Sequence, residues 1–67
     1  MIDSKKIANR LLVLRGTTSR EDVAKACGIS RSALAMYEIG ERIPRDEIKV
    51  RLARYYGATV EEIFFAS

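Results

Sequence analysis

The chain has 67 residues, of which 48% are hydrophobic and 31% are charged, and this length fits one small domain over residues 1–67. Histidine is absent, cysteine occurs once and no apolar run is as long as a membrane span, which argues against a zinc site, an internal disulfide, a histidine-based active site and a membrane anchor. We therefore expect a cytoplasmic, non-enzymatic domain without metal or cofactor, and the net charge of +3 permits a nucleic-acid partner.

The first predicted helix begins at Asp3 or Ser4 and ends near Leu14 or Arg15. The cluster of glycine and threonine at residues 16–18 interrupts the helical pattern there. Apolar residues at helical spacing predict that one face of this helix contacts the core. That expected face consists of Ile7, Ala8, Leu11, Leu12 and Leu14.

Two short helices joined by a tight turn are predicted next, over about residues 19–38. Ser19 and Ser30 each precede a helix, where a serine hydroxyl accepts a hydrogen bond from an amide of the first turn. Gly28 ends the first helix of the pair, because glycine tolerates the left-handed backbone found at such ends. Apolar positions at helical spacing predict how the two helices pack; they are Val23, Ala24, Cys27, Ile29, Leu34 and Tyr37.

The last third of the chain predicts two more helices. A loop closed by Pro44 leads into a fourth helix that ends at Gly57. Thr59 and Glu62 have the T-x-x-E spacing of a capping box, which predicts a short fifth helix. No strand-like alternation appears in the sequence, so we expect an all-α fold of five short helices around one core. The expected inward-facing residues of the last two helices are Ile48, Leu52, Tyr56, Val60, Ile63 and Phe64.

The spacing of residues across the two central helices is typical of the helix-turn-helix of DNA-binding proteins. Counted from Arg20, the small residue Ala24 is in the fifth position and Gly28 is in the ninth. The bulky apolar residues Leu34 and Tyr37 are in the fifteenth and eighteenth positions. The chain from residue 7 to residue 65 resembles the lambda-repressor-like family of phage repressors, Cro proteins and small bacterial regulators. Further matching features are Ile29, Ser30, Glu38, Gly40, Pro44, Leu52, Ala53, Gly57, Ile63 and Phe64.

This resemblance implies a sequence-specific transcriptional regulator that binds double-stranded DNA. It also implies a lambda-repressor-like arrangement with the helix-turn-helix at helices 2 and 3, and a dimeric repressor on an inverted-repeat operator. A different class of function stays open, in which the same fold is a protein-interaction module, such as an antitoxin-like partner binder. That module would use the outer face of helix 3 to contact a protein.

The outer face of the third helix is small and polar, as a helix that enters the major groove requires. Arg31 can donate two hydrogen bonds to guanine, and Ser32 can bond to either kind of base. Ala35 and Met36 can pack on a thymine methyl group. By position these four residues match the base-reading side chains of the family. The alternative is that they form an ordinary solvated surface.

Four residues around this face are predicted to contact DNA phosphates. Arg20 combines a cation with the free amides of a helix start, although the family usually has glutamine at its position. Ser30 can cap its helix and also face a phosphate. Arg42 and Arg45 flank the proline of the loop that, in the family, meets the DNA backbone. The alternative for each arginine is a solvated surface charge.

The resemblance also implies an ion pair between Arg15 and Glu38 that holds helix 3 against helix 1. The loop before the second helix is about two residues shorter than is usual in the family, so Arg10 is the alternative partner. Such a pair is expected to specify the fold more than to stabilise it.

A homodimer is expected because one recognition helix covers too few bases for useful specificity. Three apolar residues outside the predicted core are candidates for the dimer seam: Phe65, Tyr55 and Ile43. No small-molecule ligand is expected.

Overall fold

A computed structural model of the chain describes residues 3–66, which form five helical segments. Helix α1 packs against α3 and against the fifth helix, and α2 packs against α3 and α4. The predicted all-α fold is confirmed, and no strand occurs within the described range. The segments are α1 (Ser4–Arg15), α2 (Arg20–Cys27), α3 (Arg31–Glu38), α4 (Asp46–Tyr56) and a fifth helix, Glu61–Phe65, which is a single turn of π-helix.

Side-chain caps fix the start of the first three helices. The carboxylate of Asp3 accepts hydrogen bonds from two amides of α1, and the hydroxyls of Ser19 and Ser30 each accept one from α2 and α3. Helix α4 begins at Asp46, two residues after Pro44 and later than the proline suggested. Two acidic residues in its first turn, at the positive end of the helix dipole, replace the missing side-chain cap.

The turn between α2 and α3 requires glycine for two reasons. Gly28 has a left-handed backbone with φ of 69°, and the next amide, that of Ile29, donates a 3.0 Å hydrogen bond to the Ala24 carbonyl. A Cβ atom at Gly28 would lie 3.3 Å from Nη1 of Arg51, so a larger residue would also press on α4. The turn therefore fixes the angle between α2 and α3.

The core is formed by apolar side chains from all five helices, and the prediction for α1 was partly wrong. Leu12 and Leu14, expected on the core-facing side, are each 38% exposed. Only three residues of α1 are buried. The part of the α1 surface that α3 and the fifth helix cover is narrower than the apolar face predicted from the sequence. The buried apolar cluster consists of Ile7, Leu11, Val23, Ala24, Cys27, Leu34, Tyr37, Ile48, Leu52, Ala53, Ile63 and Phe64.

Both hydrogen bonds of the predicted capping box are present at the fifth helix. Glu62 accepts a 2.9 Å bond from the Thr59 amide, and the Thr59 hydroxyl accepts a 3.0 Å bond from the Glu62 amide. The bond from the Thr59 amide is the main cause that lowers the pKa of Glu62 below its ordinary value of 4.5. A lowered pKa means that this bond stabilises the folded state above pH 4.5 and is lost as the pH falls through the lowered value.

We expect Glu62→Gln to remove this part of the acid dependence of stability. The difference in unfolding free energy between the wild type and the variant should shrink as the pH is lowered from neutral to below 4.5. Denaturant titrations at several pH values measure it, with Glu61→Gln as the control for a neighbouring exposed carboxylate outside the capping box. A difference that stays constant with pH would contradict the assignment.

The hydroxyl of Tyr56 is buried and has no hydrogen-bond partner among the described residues. Burial, helped by the negative charge of Glu38, raises the pKa of Tyr56 from 10.0 to about 12. We expect Tyr56→Phe to stabilise the domain by about 1 kcal/mol, because it removes a buried polar group that lacks a partner. Thermal and denaturant unfolding measure this change, with the exposed Tyr55→Phe as the control. A clear loss of stability in Tyr56→Phe would show that the hydroxyl has a partner in solution.

Candidate nucleic-acid interface

Helix α3 turns one face to the core and the opposite face outward. Its buried residues are Leu34, Tyr37 and Glu38. The four residues predicted to read bases lie on the remaining surface, but they differ in exposure. Two of them, Arg31 and Ser32, are exposed, whereas Ala35 and Met36 are half-buried. The outward surface of α3 is therefore polar at its N-terminal end.

Glu38, the last residue of α3, joins three helices. Its side chain has no exposed surface, and its two oxygens lie 2.8 Å from Nε of Arg15 and 2.7 Å from Nε of Arg20. Arg15 also donates a 2.9 Å hydrogen bond to the Thr18 carbonyl, and its bond to Glu38 raises its pKa above the ordinary value. The pair of Arg15 and Glu38 implied by the resemblance is therefore formed. It links the end of α3 to the end of α1 and to the loop before α2.

Two other arginines have partners that the sequence did not predict. Arg20, predicted to contact a phosphate, is bound to Glu38 through Nε and keeps a side-chain exposure of 33%. This pair was missed because the family usually has glutamine at that position. Arg10, the alternative partner of Glu38, instead donates hydrogen bonds to the carbonyls of Ile63 at 3.0 Å and Ala66 at 2.7 Å. That alternative was wrong, because the segment that contains Ile63 and Ala66 lies along α1 and binds Arg10.

The other predicted phosphate contacts, Ser30, Arg42 and Arg45, line one concavity of about 400 Å³ beside the N-terminal end of α3. A third arginine on its wall, Arg51, was not identified from the sequence. Its guanidinium donates hydrogen bonds to the Glu47 carboxylate at 2.8 Å and to the Cys27 carbonyl at 3.5 Å. The sequence did contain a signal for the pair with Glu47, which lies four residues before Arg51 on the same helix. The bond to Cys27 could not be predicted, because no neighbouring residue indicates that α4 packs against the α2–α3 turn.

Cys27 is part of the core. It is 2% exposed, and burial raises the pKa of its thiol above the ordinary value. A buried thiol with little thiolate character is unreactive, so this side chain is a packing residue of the α2–α4 contact.

The three residues predicted for a dimer seam lie on two sides of α4. The Phe65 ring lies 4.8 Å from Nζ of Lys49, which in turn is 3.5 Å from the carboxylate of Asp46. Tyr55 follows six residues after Lys49, which is about 120° around the helix. Ile43 lines the concavity beside α3 together with Ile48 and Arg51. These two residues are seven and four positions before Tyr55, so they lie on the same side of α4 as Tyr55. The structure thus separates Phe65 from Tyr55 and Ile43.

Residues 3–66 contain neither a metal-binding cluster nor a membrane-spanning helix. No group of three or more acidic or cysteine side chains is placed to hold a metal ion there. None of the described helices combines the length and the apolar character that crossing a bilayer requires.

Residues 5–63 match the sequence model of a helix-turn-helix family. A helix-turn-helix-type transcriptional regulator of Methanocaldococcus jannaschii is 33% identical over 46 residues, which are 69% of this chain and 70% of the relative. The chain is also similar to the restriction-modification controller protein C.AhdI from Aeromonas hydrophila, with a TM-score of 0.84 and 30% identity over 92% of this chain and 97% of that one. The clp gene regulator ClgR from C. glutamicum shares the fold, with a TM-score of 0.77 and 19% identity over 90% of this chain and 80% of that one.

The family model spans both central helices and most of the remaining chain, and the controller protein shares the same arrangement of helices. Members of this family are DNA-binding regulators rather than enzymes. The chain therefore belongs to the Cro/C1-type helix-turn-helix family of transcriptional regulators.

Proposed function

We propose that this protein is a cytoplasmic, dimeric repressor that binds an inverted-repeat operator in double-stranded DNA. The outer face of α3 enters the major groove, where Arg31 and Ser32 contact base edges and Ala35 and Met36 pack against them. The observation that carries this proposal is the exposed polar end of α3 on a helix whose other end is held by a buried carboxylate. A rigid helix with an exposed polar face meets the geometric needs of base readout.

Arginines at both ends of α3 support this orientation. Arg20 lies at the start of α2, whereas Arg42 and Arg45 lie in the loop after α3 and share a concavity with Ser30. Cations on two sides of a reading helix can fix its register, because phosphate contacts position a protein without carrying sequence information. The proposal therefore assigns these four residues to the DNA backbone.

The proposed twofold partner packs on the Phe65 side of α4. Phe65 is 53% exposed, and its ring lies beside Lys49 of α4. Tyr55 and Ile43 lie on a different side of α4, so this interface does not include them. An exposed apolar ring at the end of the fold is suited to an isologous interface, in which each copy presents the same surface.

We expect Phe65→Asp to convert the dimer into a monomer, because it places a charge in the apolar centre of the interface. Sedimentation velocity at a fixed concentration measures the change as a halved mass. Val13→Asp is the control, since Val13 is 79% exposed and belongs to α1 rather than to α4 or the fifth helix. A Phe65→Asp variant that still sediments as a dimer would remove Phe65 from the interface.

Selection from a random pool of double-stranded DNA at near-physiological salt tests the proposed function directly. Enrichment of an inverted repeat with half-site centres about 10 bp apart is the expected result, since a twofold dimer places its two α3 helices one helical turn apart. Retention without any enriched motif, vanishing as salt rises, would show only a basic surface. That second result would favour the protein-interaction module, and a partner would then be sought by affinity purification.

A further inference from the structure

The Arg20–Glu38 pair uses only Nε of the Arg20 guanidinium. Both carboxylate oxygens of Glu38 are used, one by Nε of Arg15 and the other by Nε of Arg20. The Arg20 side chain is nonetheless one-third exposed. Within residues 3–66, no hydrogen bond joins either terminal nitrogen of Arg20 to an acceptor. These two nitrogens therefore have the capacity to bind an anion while Nε stays bound to Glu38.

The charge of the cluster also favours an anion on this side. Two guanidinium groups share one carboxylate, so the three side chains carry a net charge of +1. Arg20 is the first residue of α2, where the helix dipole and the amides of the first turn add positive potential. An approaching phosphate thus meets a guanidinium that is already oriented, next to the start of a helix.

Arg15 offers no comparable edge. Its Nε is bound to Glu38, its Nη1 is bound to the Thr18 carbonyl and its side chain is only 16% exposed. The two arginines thus bind one carboxylate at nearly equal distances, but they differ in the number of guanidinium nitrogens left without a partner among the described residues. This difference provides a matched internal control for any role of Arg20.

We propose that Glu38 is a positioning residue for DNA binding: it holds Nε of Arg20 so that both terminal nitrogens meet one backbone phosphate, whereas Arg15 only maintains the fold. This inference rests on the proposed function and adds the residue that orients one of its phosphate contacts. It requires arginine, because only the fork of a guanidinium can bind a carboxylate on one edge and a phosphate on another. A lysine in this place has three donors on a single nitrogen, which cannot reproduce the two separate edges that a planar guanidinium offers to Glu38 and to the phosphate.

The test compares wild type, Arg20→Gln, Arg20→Lys and Arg15→Gln on the operator duplex from the pool selection. Affinity is measured from 50 to 200 mM salt at a temperature where circular dichroism shows every variant to be folded. We expect Arg20→Gln to reduce the slope of log affinity against log salt by about one, as the loss of one phosphate contact predicts. Arg20→Lys is expected to reduce it equally although the charge is kept, and Arg15→Gln is expected to leave it unchanged.

Three results would overturn the inference. A full slope in both Arg20 variants would mean that Arg20 contacts no phosphate. A full slope in Arg20→Lys alone would mean that the residue acts as a freely moving charge and that Glu38 does not orient it. A reduced slope in Arg15→Gln equal to that of Arg20→Gln would assign the effect to a general distortion of the fold. All three require a wild-type protein that binds the duplex, so they are distinct from a failure of the proposed function, in which the wild type itself selects no operator.

Discussion

Glu38→Gln is expected to destabilise the domain by about 3 kcal/mol, the largest effect on stability that we expect from one polar substitution. The glutamine would place an amide with no exposed surface between two guanidinium groups, and both would lose their counter-charge. The two arginines are partly exposed and can turn towards water, so the loss should fall at the low end of the range for broken buried pairs.

Thermal unfolding followed by circular dichroism measures this loss, which corresponds to a midpoint lowered by roughly 12–24 °C in a domain of this size. Glu41→Gln is the matched control, because it removes an exposed carboxylate just beyond α3 and should change stability by less than about 0.5 kcal/mol. Equal midpoints for Glu38→Gln and the wild type would show that the buried ion pairs contribute nothing to folding.

Arg31→Ala is expected to remove discrimination at one base position of the operator. An arginine bound to both acceptors of a guanine contributes about 1–3 kcal/mol, so the preferred base at that position should lose roughly 5- to 150-fold of its advantage. Competition binding with operators that differ at single positions measures this loss. The other positions should keep their preferences.

Arg45→Ala is the contrasting variant, because a phosphate contact carries no sequence information. It should weaken binding to all sequences alike and lower the salt slope by about one. If Arg31→Ala also lost affinity uniformly across the set of operators, its assignment to base readout would be wrong and its contact would be to the backbone.

Features that depend on neighbours in sequence were predicted well. The serine caps of α2 and α3, the glycine between them and the capping box at Thr59 each need only a few adjacent residues to form their hydrogen bonds. The assignment of α3 as the helix with a small outward face follows from helical periodicity alone, since its buried residues recur at three and four positions.

Features that depend on tertiary geometry were not predictable in this way. The exposure of Leu14 depends on how much of α1 the fifth helix covers, and the pair of Arg20 with Glu38 depends on how α2 meets the end of α3. Likewise, the sequence pattern did not reveal that Phe65 and Tyr55 lie on different sides of α4. Periodicity gives the face of a helix on which a residue lies, but the neighbours of that face come only from the packing of the whole chain.

The hydrogen bonds from Arg10 to the carbonyls of Ile63 and Ala66 affect the order in which the chain can fold. Most contacts in a small helical protein are local and form early, and the helix-turn-helix is such a unit. The partners of Arg10 lie 53 and 56 residues away in sequence, so α1 cannot complete its packing until the last turn is available. During synthesis, the helix-turn-helix would therefore be able to form while the side of α1 that contacts the fifth helix is still exposed to solvent.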